Sequence, residues 1–179
     1  MIVMKNRRSK LTTIVLLALA ACSDHPKTCP TACTGNDVCI AGECVDAYSR
    51  DWVFTAATIT VAPTEPDGTG WDTFGDPAPD PYANISVDGI VVLTTDVSSD
   101  TYDADWNQAS KPIAIMESSQ IQVEAIDSDT LGDGDLIESC PDTGTMPLTI
   151  DMLRAGRMQC IQTGSTMTIQ LTPGPSADL

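Results

Sequence analysis

Residues 126 to 138 read IDSDTLGDGDLIE, five carboxylates and two glycines in thirteen positions. Repulsion between like charges this close makes full ionisation costly, so a folded loop of this composition implies a cation at its centre. Calcium fits the chemistry, because it takes about six to eight oxygen ligands in flexible geometry and asks for neither imidazole nor thiolate. The alternative is a run of soluble turn residues with no metal among them.

Two loop designs use such a string. Read as an EF-hand, Asp127, Asp129, Gly132, Asp133, Asp135 and Glu138 fall at positions 1, 3, 6, 7, 9 and 12 of the twelve-residue loop, with Leu131 breaking the pattern at position 5. The other design is a bend between two strands. The flanks favour the bend: Ile121, Val123 and Ala125 alternate with Gln122 and Glu124 before the loop, and Ser139-Cys140-Pro141 cuts off any helix after it.

The ends of the chain say where such a loop would work. The first 21 residues carry Lys5, Arg7, Arg8 and Lys10, then the apolar run LTTIVLLALAA, and no acidic residue, which is the layout of a secretory signal. A membrane-spanning helix needs ~20 apolar residues, and this run is about half that. It ends in Leu19-Ala20-Ala21-Cys22, which resembles the lipobox of bacterial lipoproteins. The resemblance implies cleavage before Cys22 and acylation of that cysteine by chains such as palmitate. Ordinary cleavage at a small-residue site, leaving Cys22 a spare thiol, is the alternative. By analogy with Gram-negative lipoproteins, Ser23 after the acylated cysteine implies the outer membrane.

Cysteine usage agrees with export. Of seven cysteines, Cys22 is set aside as the lipid carrier, and six remain: Cys29, Cys33, Cys39, Cys44, Cys140 and Cys160. Three disulfides in an oxidising compartment account for them. Four lie in CPTACTGNDVCIAGEC, a small knot resembling fragments of EGF-like modules, with zinc binding as the competing reading. Spacing alone leaves the pairing open. The expected one is Cys29 with Cys39, Cys33 with Cys44, and Cys140 with Cys160, each closing a short loop worth ~2–4 kcal/mol.

Without the leader the chain carries five basic and 25 acidic residues, a net charge of −20. Such a surface repels nucleic acid and gains nothing from electrostatic attraction to anionic lipid. Twenty of the acidic residues are Asp and five are Glu, a bias toward turns and metal loops rather than solvated helix faces.

From Asp51 onward the apolar residues alternate. In TMTIQL, Met167, Ile169 and Leu171 share one face while Thr166, Thr168 and Gln170 share the other. IQVEAI, FTAATITVA, YANISVD, IVVLTT, PIAIM and PLTI are further strand candidates, separated by Gly, Pro, Asp and Ser clusters. The predicted class is all-β, an eight-stranded antiparallel β-sandwich. MLRAGRM, residues 152 to 158, reads as a helical turn. The expected organisation is a leader over 1–21, a lipidated cysteine and cysteine-rich tether over 22–50, the sandwich over 51–175, and a tail over 176–179.

Asp80-Pro81-Tyr82 followed by ANISVDG resembles the DPYVKV-type segment of C2 domains, and DTYDADWNQ, residues 100 to 108, resembles their NTLNPVWNE segment, with Thr101, Trp106, Asn107 and Gln108 in step. The acidic loop then is similar to the third C2 loop, in which aspartates at relative positions 0, 2 and 8 bind calcium. The resemblance covers residues 52 to 172. It implies Asp80, Asp127, Asp129 and Asp135 as calcium ligands. Where the family places another Asp, about six residues before the DPY segment, this chain has Phe74 in the lengthened loop PDGTGWDTFGDPAPD. Asp72 is the expected fifth ligand, ahead of Asp76 and Asp67. Backbone carbonyls near Trp71 or Thr73 and at Ser128 would complete the shell. Asp100, Asp103 and Asp105 are expected in the second loop, with Trp106 in the core. Trp71, Phe74 and Leu131 are candidate apolar tips for lipid contact, with packing down on the loop as the alternative. Because one strand precedes the first loop and TMTIQLTP supplies one at the far end, the circularly permuted type II topology is expected.

Strand geometry supports the same ligands without the family. Asp127 and Asp129 are two apart, so both point to one side of the sheet's end, where Asp80 from a neighbouring strand can converge.

Catalysis has little to stand on: the single histidine is His25, beside the lipid site, and no Gly-rich phosphate loop is present. Two functions follow. In one, calcium bridges the loops to anionic groups on phospholipid, glycan or protein. In the other, calcium only stabilises the loops of a structural module, which suits the ~0.1–1 mM affinities of extracellular sites.

Overall fold

The structure is a computed structural model and describes residues 28–29, 31–71, 78–129, 134–162 and 164–174. A short hairpin comes first, formed by β1 (Asp37–Ile40) and β2 (Glu43–Asp46), followed by a single 3-10 turn, Ala47–Ser49. The sandwich is built from β3 (Asp51–Thr60), β4 (Pro81–Val87), β5 (Ile90–Thr94), β6 (Asp103–Ala109), β7 (Ile113–Ala114), β8 (Gln120–Asp127), β9 (Leu136–Cys140), β10 (Met146–Pro147), β11 (Arg157–Gln162) and β12 (Ser165–Pro173), with helix α1 (Ile150–Ala155) between β10 and β11.

One sheet runs β10-β8-β4-β5, with β9 also paired to β8; the other runs β11-β12-β3-β6, with β7 also paired to β3. Every pairing is antiparallel. Leaving aside the two-residue strands β7 and β10, each sheet has four strands, the predicted eight-stranded sandwich. β3 alone precedes the 61–80 connection, and β12 lies beside it, the arrangement behind the type II expectation.

Period-two patterning does the packing. On β8, Ile121, Val123 and Ala125 are fully buried while Gln122 and Glu124 are half-exposed. Phe54, Ala56 and Ile59 on β3 and Met167, Ile169 and Leu171 on β12 fill the facing layer. Trp106 is buried with them, as expected. Burial of such side chains is worth roughly 1.5–3 kcal/mol each.

Three local differences from the sequence reading are present. PIAIM shrinks to the two-residue strand β7 and PLTI keeps only Pro147, in β10, whereas LIESC forms a full strand despite Glu138 and Ser139. The helical turn starts at Ile150, two residues earlier than MLRAGRM suggests, because Thr149 caps it by accepting from the Met152 N–H at 3.3 Å. It ends at Gly156, whose φ of 64° suits a residue without a Cβ.

The three expected disulfides are all formed: Cys29–Cys39, Cys33–Cys44 and Cys140–Cys160. The first two close the knot around the hairpin, which rules against zinc there. The third ties β9 in one sheet to β11 in the other. The hairpin is packed on the sandwich rather than held away from it. Val38 and Ala47 belong to the common core, Trp52 Nε1 donates to the Ala47 carbonyl at 2.8 Å, and Arg154 on α1 donates to the carbonyls of Asp37 at 3.0 Å and Gly35 at 2.8 Å. A cavity of about 520 Å³ lies at this junction, between Cys33 and Val38 on one side and Trp52, Leu153 and Leu171 on the other.

Candidate functional site

The sandwich has two ends. The hairpin, α1 and the start of β3 occupy one; the described parts of the 61–80, 95–102 and 128–135 connections leave from the other, where β3 and β8 finish and β4 and β6 begin. Pro81 sits opposite Asp127 in the β4–β8 register. That pairing brings two predicted ligands together. The Asp80 N–H donates to Asp127 Oδ1 at 2.6 Å, and the Ser128 N–H donates back to the Asp80 carbonyl at 3.1 Å. Asp127 occupies the last inward position of β8, so its carboxylate is 1% exposed. Buried carboxylates are costly unless hydrogen-bonded or joined to a cation.

Asp80 in turn faces the 95–102 connection. Its Oδ1 accepts from the Asp100 N–H at 2.6 Å, with Asp100 in a left-handed conformation at φ 51°. Asp100 therefore reaches the rim, but Asp103 and Asp105 do not belong to this loop. Both lie on β6, whose pairing with β3 extends to Thr60, and Thr60 Oγ1 donates to Asp103 Oδ1 at 2.8 Å while Asn107 donates to Asp105. The apolar residues between them, Ala104 and Trp106, pull that segment into the sheet.

The third connection joins two strands, β8 and β9, so the EF-hand reading of this segment does not hold. It is closed by the Asp127 N–H donating to the Asp135 carbonyl at 2.8 Å. Gly134 makes the closure possible: its φ is 70°, and a Cβ there would lie 2.4 Å from the Asp127 carbonyl oxygen. Asp129 is half-buried and Asp135 exposed. Asp72, Asp76, Asp133, Phe74, Leu131 and the lipidation residue Cys22 lie outside the described residues.

Among the described residues, the aspartates of this rim do not place three carboxylates with oxygens within 4.8 Å of one another. The donor chemistry still suits a hard cation, with carboxylates and loop carbonyls and no imidazole or thiolate at this end. Asp67, a lesser ligand candidate, is engaged locally. Thr69 donates to its Oδ1 through the hydroxyl at 2.6 Å and the backbone N–H at 2.9 Å, which holds the Asp67 carboxyl below its usual range.

Trp71 corrects one expectation. It is 4% exposed and its Nε1 donates to the Ala62 carbonyl at 2.8 Å, so it packs down on the core rather than projecting as a tip. Indole rings have enough apolar surface to prefer the core once the N–H finds a partner.

A second carboxylate matters, one that the sequence placed only at position 12 of the EF-hand reading and not among the expected C2-type ligands. Glu138 on β9 is 1% exposed, and among the described residues neither of its oxygens has a hydrogen-bond partner. Burial pushes its carboxyl up to about 7. Its position opposite Ala125, on the inward face of β8, is the signal: a glutamate at inward parity two residues from a disulfide cysteine.

No family model matches the sequence, and no curated protein matches it. Solved structures do resemble the fold. Human group IVD cytosolic phospholipase A2, in complex with methyl gamma-linolenyl fluorophosphonate, matches with a TM-score of 0.52 and 14% identity over 73% of this chain and 18% of that one. The paired C2 domains of extended synaptotagmin 2 match with a TM-score of 0.50 and 12% identity over 94% of this chain and 48% of that one. A calcium-bound structure of the same pair matches with a TM-score of 0.50 and 13% identity over 71% of this chain and 46% of that one. The chain thus spans less than half the length of each of these proteins. With two four-stranded antiparallel sheets and loops gathered at one rim, the described chain has the fold of a C2-like domain.

Proposed function

We propose that the chain is an exported, non-catalytic lipoprotein, anchored through acyl groups on Cys22 in the outer membrane of a Gram-negative cell, whose C2-like sandwich holds calcium at its acidic rim. Asp80, Asp127, Asp129 and Asp135 would supply carboxylates, with Asp72 as the fifth. The observation that carries this reading is the meeting of Asp80 and Asp127 at one rim from positions 47 apart in sequence. A structure of extended synaptotagmin 2 with this fold is calcium bound, which supports the same ion here.

When bound, calcium would supply open coordination positions for an anionic group on a phospholipid, glycan or protein. Geometry favours a target away from the anchoring membrane. Thr28 lies six residues from Cys22 and beside the hairpin, at the end of the sandwich opposite the rim. Ten residues of β3 separate the two ends, roughly 33 Å. A tether leaving from the hairpin end would let the rim face away from that membrane.

The second reading, calcium as a staple for the loops, is favoured by Trp71, which is buried and so offers no apolar tip among the described residues. Calorimetric titration of the unacylated chain with calcium, then magnesium, tests the common premise. Calcium-dependent, salt-resistant pelleting with anionic liposomes would support phospholipid as the target, and retention on glycan or cell-surface protein would support the others. A calcium-raised melting temperature with no binding partner would support the staple. No heat of binding at millimolar calcium would overturn both.

A further inference from the structure

The Cys140–Cys160 disulfide has a buried acid beside it. Glu138 and Cys140 are two apart on β9 and face the interior with Ala125 and Val123 of β8, and the Glu138 carboxylate and both sulfurs lie within 4.8 Å of one another. Cys160 is fully buried and Cys140 half-buried. The two cysteines sit on β9 and β11, the adjoining outer strands of the two sheets, where Gln162 also donates to the Ser139 carbonyl at 2.6 Å. Of the two residues, Cys140 alone has exposed surface, so an incoming thiolate would approach from its side, while Cys160 is shut away from water.

That asymmetry sets the chemistry. Attack on the Cys140 sulfur would expel Cys160 as a thiolate inside an apolar layer, an unfavourable leaving group unless a proton is at hand. Glu138 is placed to give one. Among the described residues its carboxyl has no hydrogen-bond partner to hold its proton elsewhere, and burial keeps it protonated to a higher pH than an ordinary glutamate. The inward positions of the strands that adjoin β9 carry no base among the described residues: Val123 and Ala125 on β8, Met158 and Cys160 on β11, and Ser165 and Met167 on β12. The other inward carboxylate is Asp127, one pleat further along β8.

We propose that Cys140–Cys160 is a redox-active disulfide, reduced by a dithiol, and that Glu138 is its resident proton donor. In the first step the thiolate of the dithiol bonds to the Cys140 sulfur, the Cys140–Cys160 bond breaks, and the Cys160 sulfur takes the electron pair and the Glu138 proton. In the second, the dithiol's other sulfur, its proton passing to the Glu138 carboxylate, attacks its own sulfur in the mixed disulfide and releases Cys140 as a thiolate, which is protonated from solvent. The protein disulfide gains two electrons and two protons, and the dithiol becomes a disulfide. Opening this bond would leave β9, which follows the 128–135 connection, held to β11 by weaker contacts such as the Gln162–Ser139 hydrogen bond.

Reduction of the oxidised chain by dithiothreitol, followed bond by bond with thiol alkylation and mass spectrometry from pH 5.5 to 8.5, tests this. Rates are divided by the dithiothreitol thiolate fraction. For Cys140–Cys160 the normalised rate should fall as pH passes through 7, and Glu138→Gln should lower it roughly tenfold at pH 6 and flatten the profile. Cys29–Cys39 and Cys33–Cys44 in the same molecules serve as controls and should not change between the two proteins. A flat normalised profile for Cys140–Cys160 in the wild-type chain would overturn the proposal, whatever the variant's stability. So would equal slowing of all three bonds in the variant.

Discussion

Asp80 and Asp127 stand 47 positions apart, yet the backbone N–H of the first donates to the carboxylate of the second at 2.6 Å. The contact exists because Pro81 faces Asp127 at the end of the β4–β8 ladder, so the register that buries Ile85 and Val123 also delivers these two residues to one rim. A one-residue slip would turn Asp127 outward and expose the core residues of β8.

Replacing both Asp127 and Asp129 with Asn should abolish calcium-dependent thermal stabilisation. Ligand binding to the folded state raises stability in proportion to the logarithm of ligand over dissociation constant, so loss of binding removes the increment. Differential scanning calorimetry in millimolar calcium against chelator reads it. An unchanged calcium increment in the double variant would place the ion elsewhere.

Gly134→Ala should disturb the same loop from its other side. The new Cβ would meet the Asp127 carbonyl at 2.4 Å in a left-handed backbone conformation, so the 128–135 connection must shift or open. The expected cost is about 1–3 kcal/mol, by urea unfolding, together with weaker calcium binding. Wild-type stability and calcium affinity in this variant would show that the loop tolerates another path.

Stability should depend on Glu138 and pH in a defined direction. Burial raises its folded value to about 7 from an ordinary 4.5, so the folded state holds the proton more tightly than the unfolded chain. The stability this contributes is full below pH 4.5, is lost as pH rises toward 7, and changes no further above it. Urea unfolding without calcium at pH 5 and pH 8 should show wild type losing on the order of 2 kcal/mol more than Glu138→Gln over that interval. Equal losses in the two proteins would mean that Glu138 ionises in its usual range.

Arg154→Ala should loosen the hairpin without unfolding the sandwich. The side chain donates to the carbonyls of Asp37 and Gly35, and it is partly exposed, so about 1 kcal/mol is the expected loss. Limited proteolysis should cut within residues 31–46 sooner in the variant. Matching cleavage rates would mean that Val38, Ala47 and Trp52 hold the hairpin by themselves.

The sequence by itself determined the strands with clean alternation, because Met167, Ile169 and Leu171 against Thr166, Thr168 and Gln170 can bury one face only as a strand, but β6, β9 and β11 were not among its strand candidates. It also carried the two segments that meet at the rim, while its cysteine spacing left open the pairing that formed. What needed the tertiary structure was which neighbour each residue acquired. Trp71 was legible as a large apolar residue in a loop, but only the Ala62 carbonyl within reach of its indole decided that it packs inward. Asp103 and Asp105 looked like loop aspartates, and the β3 ladder made them strand residues. The hairpin read as a tether until Arg154, far along the chain, fastened it. Glu138 shows the limit most clearly: its parity on β9 is written in the sequence, but its burial against Cys140 and Cys160 depends on a second sheet closing over it, and proximity across sheets has no local signature.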